Sequence, residues 1–181
     1  MSGAAKSLFA QRSRSFPMDA SFNLYPELQE EKIMILGVGN TLRGDDGIGP
    51  ALIRDLRGKV GCGLLDCGEV PENHLQEIMD FGPSTIVIVD AADWGGNPGE
   101  MREIGLGEIS NPGLSSHNSS LGLVLDYLQA HLRAKIIIIG VQSRTREFLD
   151  PMSPEAKGAL KALEELLVRS LSPSRYMDSS S

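Results

Sequence analysis

The sequence predicts one α/β domain built as a three-layer sandwich, with a mostly parallel, twisted sheet between helices on both faces. The first observation is the apolar run Ile33–Leu36, which breaks at Gly37 and Gly39 and is followed by a helical pattern. A buried strand, a glycine turn and a helix form the first unit of an α/β sheet. The second observation is the β-branched run Ser84–Asp90, whose composition is typical of a strand buried on both faces.

The elements after the first strand follow from periodicity and turn residues. The first helix has four apolar residues at offsets 0, 4, 5 and 8, which lie on one face: Ile48, Leu52, Ile53 and Leu56. A second strand is predicted from Val60 to Asp66. Pro71 and Glu72 open a short second helix, which the pair Gly82-Pro83 closes before the strand Ser84–Asp90.

The second half of the chain continues the alternation of strands and helices. A short strand, at an edge or antiparallel, is predicted from Glu100 to Ile104. A third helix follows, with Ser119 or Ser120 as its N-cap. Its apolar face consists of Leu121, Val124, Leu125, Leu128 and Leu132. Lys135–Gln142 is predicted to be the last core strand.

The closing helix is predicted to begin at Ser153 and Pro154, because serine caps a helix well and proline suits the first helical position. The domain is therefore expected to cover residues 32–171, with a disordered extension at 1–31 and a disordered tail at 172–181. Met1–Met18 contains basic residues and serines but no acid. An organelle transit peptide and a wrongly chosen start codon are alternatives for that segment.

Length, charge and cysteine content limit the class of protein. A chain of 181 residues suits one domain, and its net charge of −7, with no evident basic patch, argues against a nucleic-acid partner. No apolar run approaches the ~20 residues that cross a bilayer, so membrane insertion is not expected. Cys62 and Cys67 form neither a CxxC pair nor a disulfide framework, which favours a reducing cytoplasm. A cytoplasmic monomer is expected.

Three acids fall where predicted strands end, and one histidine lies in a loop that leads into a helix. The acids are Asp46, Asp66 and Asp90, and the histidine is His117. Ligands of α/β sheets bind outside the carboxyl ends of the strands, so these four groups are expected at one edge, with Asp45 beside Asp46. Two carboxylates and an imidazole suit an open site for a borderline divalent metal such as nickel or zinc.

Each of these residues also has a structural interpretation. Asp46 could cap the first helix, Asp90 could bind backbone amides of its loop, and His117 could be an ordinary loop histidine. None shows the tight spacing of a helical zinc motif, so spacing alone is a weak signal. No serine or cysteine nucleophile is indicated, because neither cysteine has a histidine nearby in the sequence.

The stretch Gly37–Pro50 resembles the opening motif of hydrogenase maturation endopeptidases, which process the large subunit of nickel-iron hydrogenases. Further matches to this family follow in the same order: Leu65–Gly68, Pro71–Asn73, Ile88–Ala91, Asn97–Glu100, Ser116–Asn118 and Ile139–Gln142. Together they extend over the whole predicted domain.

The resemblance implies an endopeptidase whose nickel arrives with its substrate. In the family, nickel already sits in the immature large subunit, and the protease recognises it before removing a C-terminal extension after a basic residue. The nickel-contacting residues of the family map to Asp46, Asp90 and His117. Asp66 matches a further acid near the site, so Asp46, Asp66 and Asp90 are the expected catalytic carboxylates. Nickel is expected to serve as the recognition element, and the alternatives are that it only recognises the precursor or that it also polarises the scissile carbonyl or activates a water.

Two other classes of protein fit parts of the sequence. A non-catalytic chaperone or binding module would hold the large subunit without cutting it. A dinucleotide-binding Rossmann domain would explain Gly37 and Gly39 after one strand and Asp66 after the next. However, Leu42 occupies the position of the third glycine, which that fold needs for close packing at the pyrophosphate. The endopeptidase is the preferred interpretation.

Overall fold

Six strands form one sheet in the computed structural model of the chain, which describes residues 15–16, 32–111 and 113–171. The strands are β1 (Ser15–Phe16), β2 (Ile33–Val38), β3 (Gly63–Gly68), β4 (Thr85–Ala92), β5 (Met101–Glu103) and β6 (Lys135–Gln142). They lie in the order β1-β5-β6-β4-β2-β3. β3, β2, β4 and β6 run parallel, whereas β5 is antiparallel to β6 and to β1. The predicted, mostly parallel sheet is confirmed.

Within the described residues, four α-helices cover this sheet: α1 (Ile48–Leu56), α2 (Leu75–Phe81), α3 (Asn118–His131) and α4 (Pro154–Leu171). Short 3₁₀ turns occur at Gly44–Gly47, Pro71–His74 and Leu106–Glu108. No helix in the described part of the chain is both long and apolar enough to cross a membrane. Apart from Ser15–Phe16, the segments 1–31 and 172–181 that were predicted to be disordered lie outside the described residues.

Each face of the sheet has its own apolar core. Leu52 of α1 and Leu163 of α4 belong to one core, and Leu125 of α3 belongs to the other. Successive strand side chains point to opposite faces, so Val87 and Ile88 contribute to different cores. Burying each large aliphatic side chain contributes roughly 1.5–3 kcal/mol, and the two cores together hold the predicted three layers in place.

The strand order places a crevice between β2 and β4. The chain leaves β2 for β3 on one side of it, and then crosses to β4 on the other side. Where strand order reverses in this way, the loops at the carboxyl ends diverge and leave room for a ligand. The 3₁₀ turn Gly44–Gly47 after β2 and the end of β4 both lie at this point.

Glycines allow α1 to approach β2 closely. A Cβ at Gly49 would lie 2.3 Å from the carbonyl oxygen of Val38, and a Cβ at Gly37 would lie 2.4 Å from the carbonyl oxygen of Gly49. Both distances are far inside van der Waals contact with backbone atoms that cannot move easily. Only glycine fits at these two positions, and the turn that precedes α1 is therefore held against the sheet.

The predicted starts of one strand and one helix were wrong. β3 begins at Gly63, not Val60, because the Gly61 N–H donates to the Leu171 carbonyl at the end of α4 (3.3 Å) instead of joining the sheet. α3 begins at Asn118, and its N-cap is His117, whose carbonyl accepts the Leu121 N–H (2.8 Å). The serines predicted as N-caps therefore lie within the helix.

The predicted cap of the closing helix is confirmed. The Ser153 hydroxyl accepts the N–H of Ala156 (3.1 Å), and Pro154 is the first residue of α4.

Candidate metal centre

Three buried side chains from three different elements meet at the crevice. Asp46 comes from the 3₁₀ turn after β2, Asp90 from β4, and His117 from the N-terminus of α3. Each offers one ligand atom, and these atoms lie within 4.8 Å of one another. Two oxygens and one imidazole nitrogen at this spacing can bind one divalent cation of borderline character and leave positions open for substrate.

Asp46 has partners on both carboxylate oxygens. Its Oδ2 accepts the Asn40 N–H (2.9 Å) and lies 3.3 Å from Nε2 of His117, while Oδ1 accepts the Ser116 hydroxyl (2.6 Å). Burial favours the neutral acid, but the hydrogen bonds from His117 and Ser116 outweigh it and lower the pKa of Asp46. Asp46 is therefore an anion at neutral pH.

Asp90 has fewer partners than its burial requires. The Ser115 hydroxyl donates to Oδ2, whereas Oδ1 is buried and has no hydrogen-bond partner. Burial is the main cause that raises the pKa of Asp90 to about 7. A buried carboxylate oxygen without a donor is unfavourable, and a cation held between Asp90, Asp46 and His117 would supply the missing interaction.

His117 faces both carboxylates, and its backbone N–H donates to the Ser115 hydroxyl oxygen (3.0 Å). Burial favours the neutral ring, but the hydrogen bond to Asp46 and the charges of Asp90 and Asp46 raise the pKa of His117. Without a metal, the site therefore favours a positive charge on the ring. A metal ion bound by Nε2 would displace that proton.

Two of the three ligands lie at a cleft of about 710 Å³. Asp46 and His117 are among its lining residues, together with Arg43, Glu69, Ser110, Ser115, Ser116, Ser119 and Ser120. Arg43 and Glu69 are exposed and have opposite charges. A cleft of this volume, bordered by hydroxyls and by both signs of charge, can accept a polar peptide segment.

The structure places Asp66 apart from this group. Asp66 is exposed, and its Oδ1 accepts the N–H of Gly68 (3.1 Å). Its neighbours Leu65 and Cys67 are buried in the core beneath α3, so Asp66 points to the other face of β3. A catalytic role for Asp66 stays a prediction.

The expectation that Asp45 stands in the crevice was wrong. Asp45 is as buried as Asp46, but its carboxylate points to the segment between β6 and α4. It accepts four hydrogen bonds, from the N–H groups of Arg144, Thr145 and Ser153 and from the Ser153 hydroxyl. Adjacent residues of a 3₁₀ turn point in different directions, which the order of residues alone does not reveal.

The expected location of Asp90 after its strand also needs correction. β4 runs on to Ala92, because Asp90 and the two residues after it pair with Gly140 and its successors in β6. Asp90 is therefore a strand residue with a rigid backbone. Its carboxylate is fixed by the sheet and not by a loop.

Sequence reasoning missed the two serines beside His117. Ser115 and Ser116 each donate a hydroxyl to one of the two site carboxylates. Their position directly before the histidine was the available signal. Cys62 and Cys67 take no part: burial raises the pKa of these thiols to about 11 and about 12, so neither is a thiolate at neutral pH.

Comparison with known proteins connects this geometry to one family. The family model described as hydrogenase maturation protease matches residues 51–170. That match includes Asp90 and His117 and begins after Asp46. The hydrogenase 3 maturation protease of Escherichia coli K12 is 34% identical over 137 residues, which are 74% of this chain and 87% of that protein.

Two solved structures are similar throughout the domain. The crystal structure of a [NiFe] hydrogenase maturation protease HycI from Thermococcus kodakarensis has a TM-score of 0.71 and 30% identity, and covers 80% of this chain and 94% of that one. The solution structure of an endopeptidase HycI from Escherichia coli has a TM-score of 0.67 and 31% identity, with coverage of 74% and 87%.

Proposed function

This chain belongs to the hydrogenase maturation protease family, and on that premise we propose that it removes a C-terminal extension from the nickel-loaded precursor of a nickel-iron hydrogenase large subunit. The observation that carries the proposal is the buried, unpartnered Oδ1 of Asp90, in a carboxylate that offers one ligand atom within 4.8 Å of ligand atoms on Asp46 and His117. This group suits a divalent cation and opens on a cleft that can accept a peptide.

A metal that arrives with the substrate fits the donor set. Resident catalytic zinc is commonly held by three protein ligands that include more than one histidine or cysteine. Here two carboxylates and a single histidine form the group, and Oδ1 of Asp90 lacks a partner. The thiolates of the precursor's own nickel site would supply the rest of the coordination.

Peptide hydrolysis needs a polarised carbonyl, an attacking water and a base. Nickel beside the scissile bond can polarise the carbonyl, and one site carboxylate can accept the proton of the water. Asp46 and Asp90 are the carboxylates that line this position, and Asp66 would act from outside the metal group. No thiolate or serine–histidine pair is required.

The charge at the cleft fits the expected cleavage after a basic residue. Glu69 lines the cleft, is exposed, and is close enough to His117 to contribute to the raised pKa of that ring. A lysine or arginine of the precursor next to the scissile bond would find a counter-charge at Glu69.

Neither alternative class has an equivalent observation in its favour. A Rossmann domain would bind a pyrophosphate at the start of α1, but the turn before α1 contains two buried carboxylates, Asp45 and Asp46, which would repel it. A chaperone would need no orphaned carboxylate oxygen. Cytoplasmic location and a monomeric state stay predictions.

The test is incubation of the purified chain with nickel-loaded and nickel-free precursor. We expect shortening of the nickel-loaded precursor only, and loss of cleavage in His117→Ala and Asp90→Ala. His131→Ala is the matched control, because His131 lies at the exposed end of α3, stacked on Tyr127. Complex formation without a shortened product would identify a chaperone, and equal cleavage of nickel-free precursor would refute the substrate-metal account.

A further inference from the structure

Two loops beside the cleft expose three large apolar side chains, which we call the rim patch. Leu42 belongs to the loop before the 3₁₀ turn, and Phe148 and Leu149 belong to the segment between β6 and α4; their exposures are 53%, 60% and 72%. We propose that the rim patch docks the large-subunit precursor beside its C-terminal extension. This inference rests on the proposed function.

Hydrogen bonds connect the two loops that carry the rim patch. The N–H of Leu149 donates to the carbonyl of Leu42 (2.7 Å), and the N–H of Gly44 donates to the carbonyl of Asp150 (3.1 Å). The Thr145 hydroxyl donates to the Asp150 carboxylate (2.5 Å), and the buried carboxylate of Asp45 anchors the same segment. These bonds hold together the two loops that carry the exposed side chains.

The backbone at Leu149 is strained in a way that folding does not explain. Its φ is 66°, which makes it the single non-glycine residue with positive φ among the described residues. Side chains with a Cβ are disfavoured in this region, where glycine or asparagine would be comfortable. A leucine that is strained and also exposed contributes little to the fold. A partner that covers Leu149 would bury apolar surface that the fold leaves in water.

The position of the rim patch identifies that partner. Leu42 directly precedes Arg43, which lines the cleft together with Asp46. A precursor whose C-terminal segment enters the cleft past Arg43 would place its adjoining apolar residues on the patch. A second exposed apolar pair, Leu123 and Tyr127 on α3, is not among the cleft-lining residues.

The test uses two variants of the full-length chain, Leu149→Gly and Leu149→Asn, with the nickel-loaded precursor as substrate. Glycine and asparagine both suit positive φ, so thermal stability should be unchanged or higher. Loss of the leucine that the bound precursor would cover should raise KM about tenfold or more. The value of kcat should change by less than about twofold, because the metal group is untouched. Tyr127→Ser, at an exposed position on α3 seven residues beyond the cleft-lining Ser120, should match the wild type.

The outcomes separate this inference from the proposed function. If the wild type cleaves and both Leu149 variants keep its KM, the docking inference is wrong and the endopeptidase stands. If the wild type leaves the nickel-loaded precursor intact, the proposed function fails and the inference fails with it. A second copy of this chain is the other candidate to cover the patch, and sedimentation of the chain alone tests it. If the wild type forms a concentration-dependent dimer that Leu149→Asn abolishes, while KM is unchanged, the patch binds a second copy and the docking inference is wrong.

Discussion

Two carboxylates of equal burial, Asp45 and Asp90, have opposite hydrogen-bond environments. Asp45 accepts four hydrogen bonds from the segment before α4. Asp90 accepts one from the Ser115 hydroxyl and keeps one oxygen without a partner. A saturated carboxylate is a structural anchor, whereas an undersatisfied one is prepared for a cation that the protein chain itself does not provide.

Asp46, which directly follows Asp45 in the sequence, has a hydrogen-bond environment between those of Asp45 and Asp90. Its three hydrogen-bond contacts fix the orientation of the carboxylate, but two of them come from the site itself, from Ser116 and His117. The comparison therefore teaches that burial does not identify a functional acid. The number and origin of its donors do.

The largest expected effect is that of Asp45→Ala on stability. The substitution leaves up to four donors of the segment between β6 and α4 without an acceptor, and each unsatisfied buried group costs about 1–3 kcal/mol. Urea unfolding should show a loss of about 3 kcal/mol or more, and Asp45→Asn, which keeps one oxygen, should lie between. If Asp45→Ala unfolds like the wild type, the anchor interpretation of this residue is wrong.

Metal affinity should depend on the acids of the metal group, Asp46 and Asp90. Calorimetric titration of the isolated chain with Ni²⁺ or Cd²⁺ should show weak binding that falls about tenfold or more in Asp46→Asn, Asp90→Asn and His117→Ala, since each removes one of few ligands. Asp66→Asn and His131→Ala should bind like the wild type. Equal binding by all five variants would move the metal site elsewhere.

The pH dependence of stability reports on the ionisation of Asp90. In the folded chain the pKa of this carboxyl is raised from 3.8 to about 7. The groups that face it are Asp46, Ser115 and His117. An acid with a raised pKa keeps its proton in the folded state after the unfolded chain has lost it, so stability falls as pH rises from 3.8 to about 7.

Asp90→Asn cannot ionise, so this contribution to the pH slope disappears. Thermal unfolding in the presence of a chelator should therefore show the Tm of the variant, relative to the wild type, increasing with pH across that window. A difference in Tm that stays constant would mean that Asp90 titrates normally, and its distinction from Asp45 would be lost.

The smallest effect is expected for Ser153→Ala. Its hydroxyl donates to Asp45 (3.0 Å) and accepts the N–H of Ala156 at the start of α4 (3.1 Å), whereas the Ser153 N–H to Asp45 remains in the variant. A lost N-cap typically costs about 1 kcal/mol. Urea unfolding should show about that loss, with unchanged metal affinity. A change in metal affinity would indicate that the anchor and the metal group are coupled.

The fold could be predicted from the sequence because its signals are local. Strand Thr85–Ala92 has eight buried residues, and a run of β-branched side chains has few other stable conformations. The buried face of α1 follows directly from the spacing of Leu52, Ile53 and Leu56. Errors occurred at ends, such as the start of β3, where a bond to Leu171 far along the chain competes with the sheet.

By itself the sequence determined the three layers, the mostly parallel sheet and the edge of the sheet at which Asp46, Asp90 and His117 meet, since periodicity and the carboxyl-end rule suffice for these. The same rule also placed Asp66 with them, and only the tertiary structure decided that Asp66 lies apart. Only the tertiary structure decided which neighbour in the pair Asp45 and Asp46 faces the cleft and which oxygen of Asp90 is unpartnered. The physical reason is that hydrogen bonds of buried carboxylates come from segments up to 108 residues away, and their directions depend on the packed backbone.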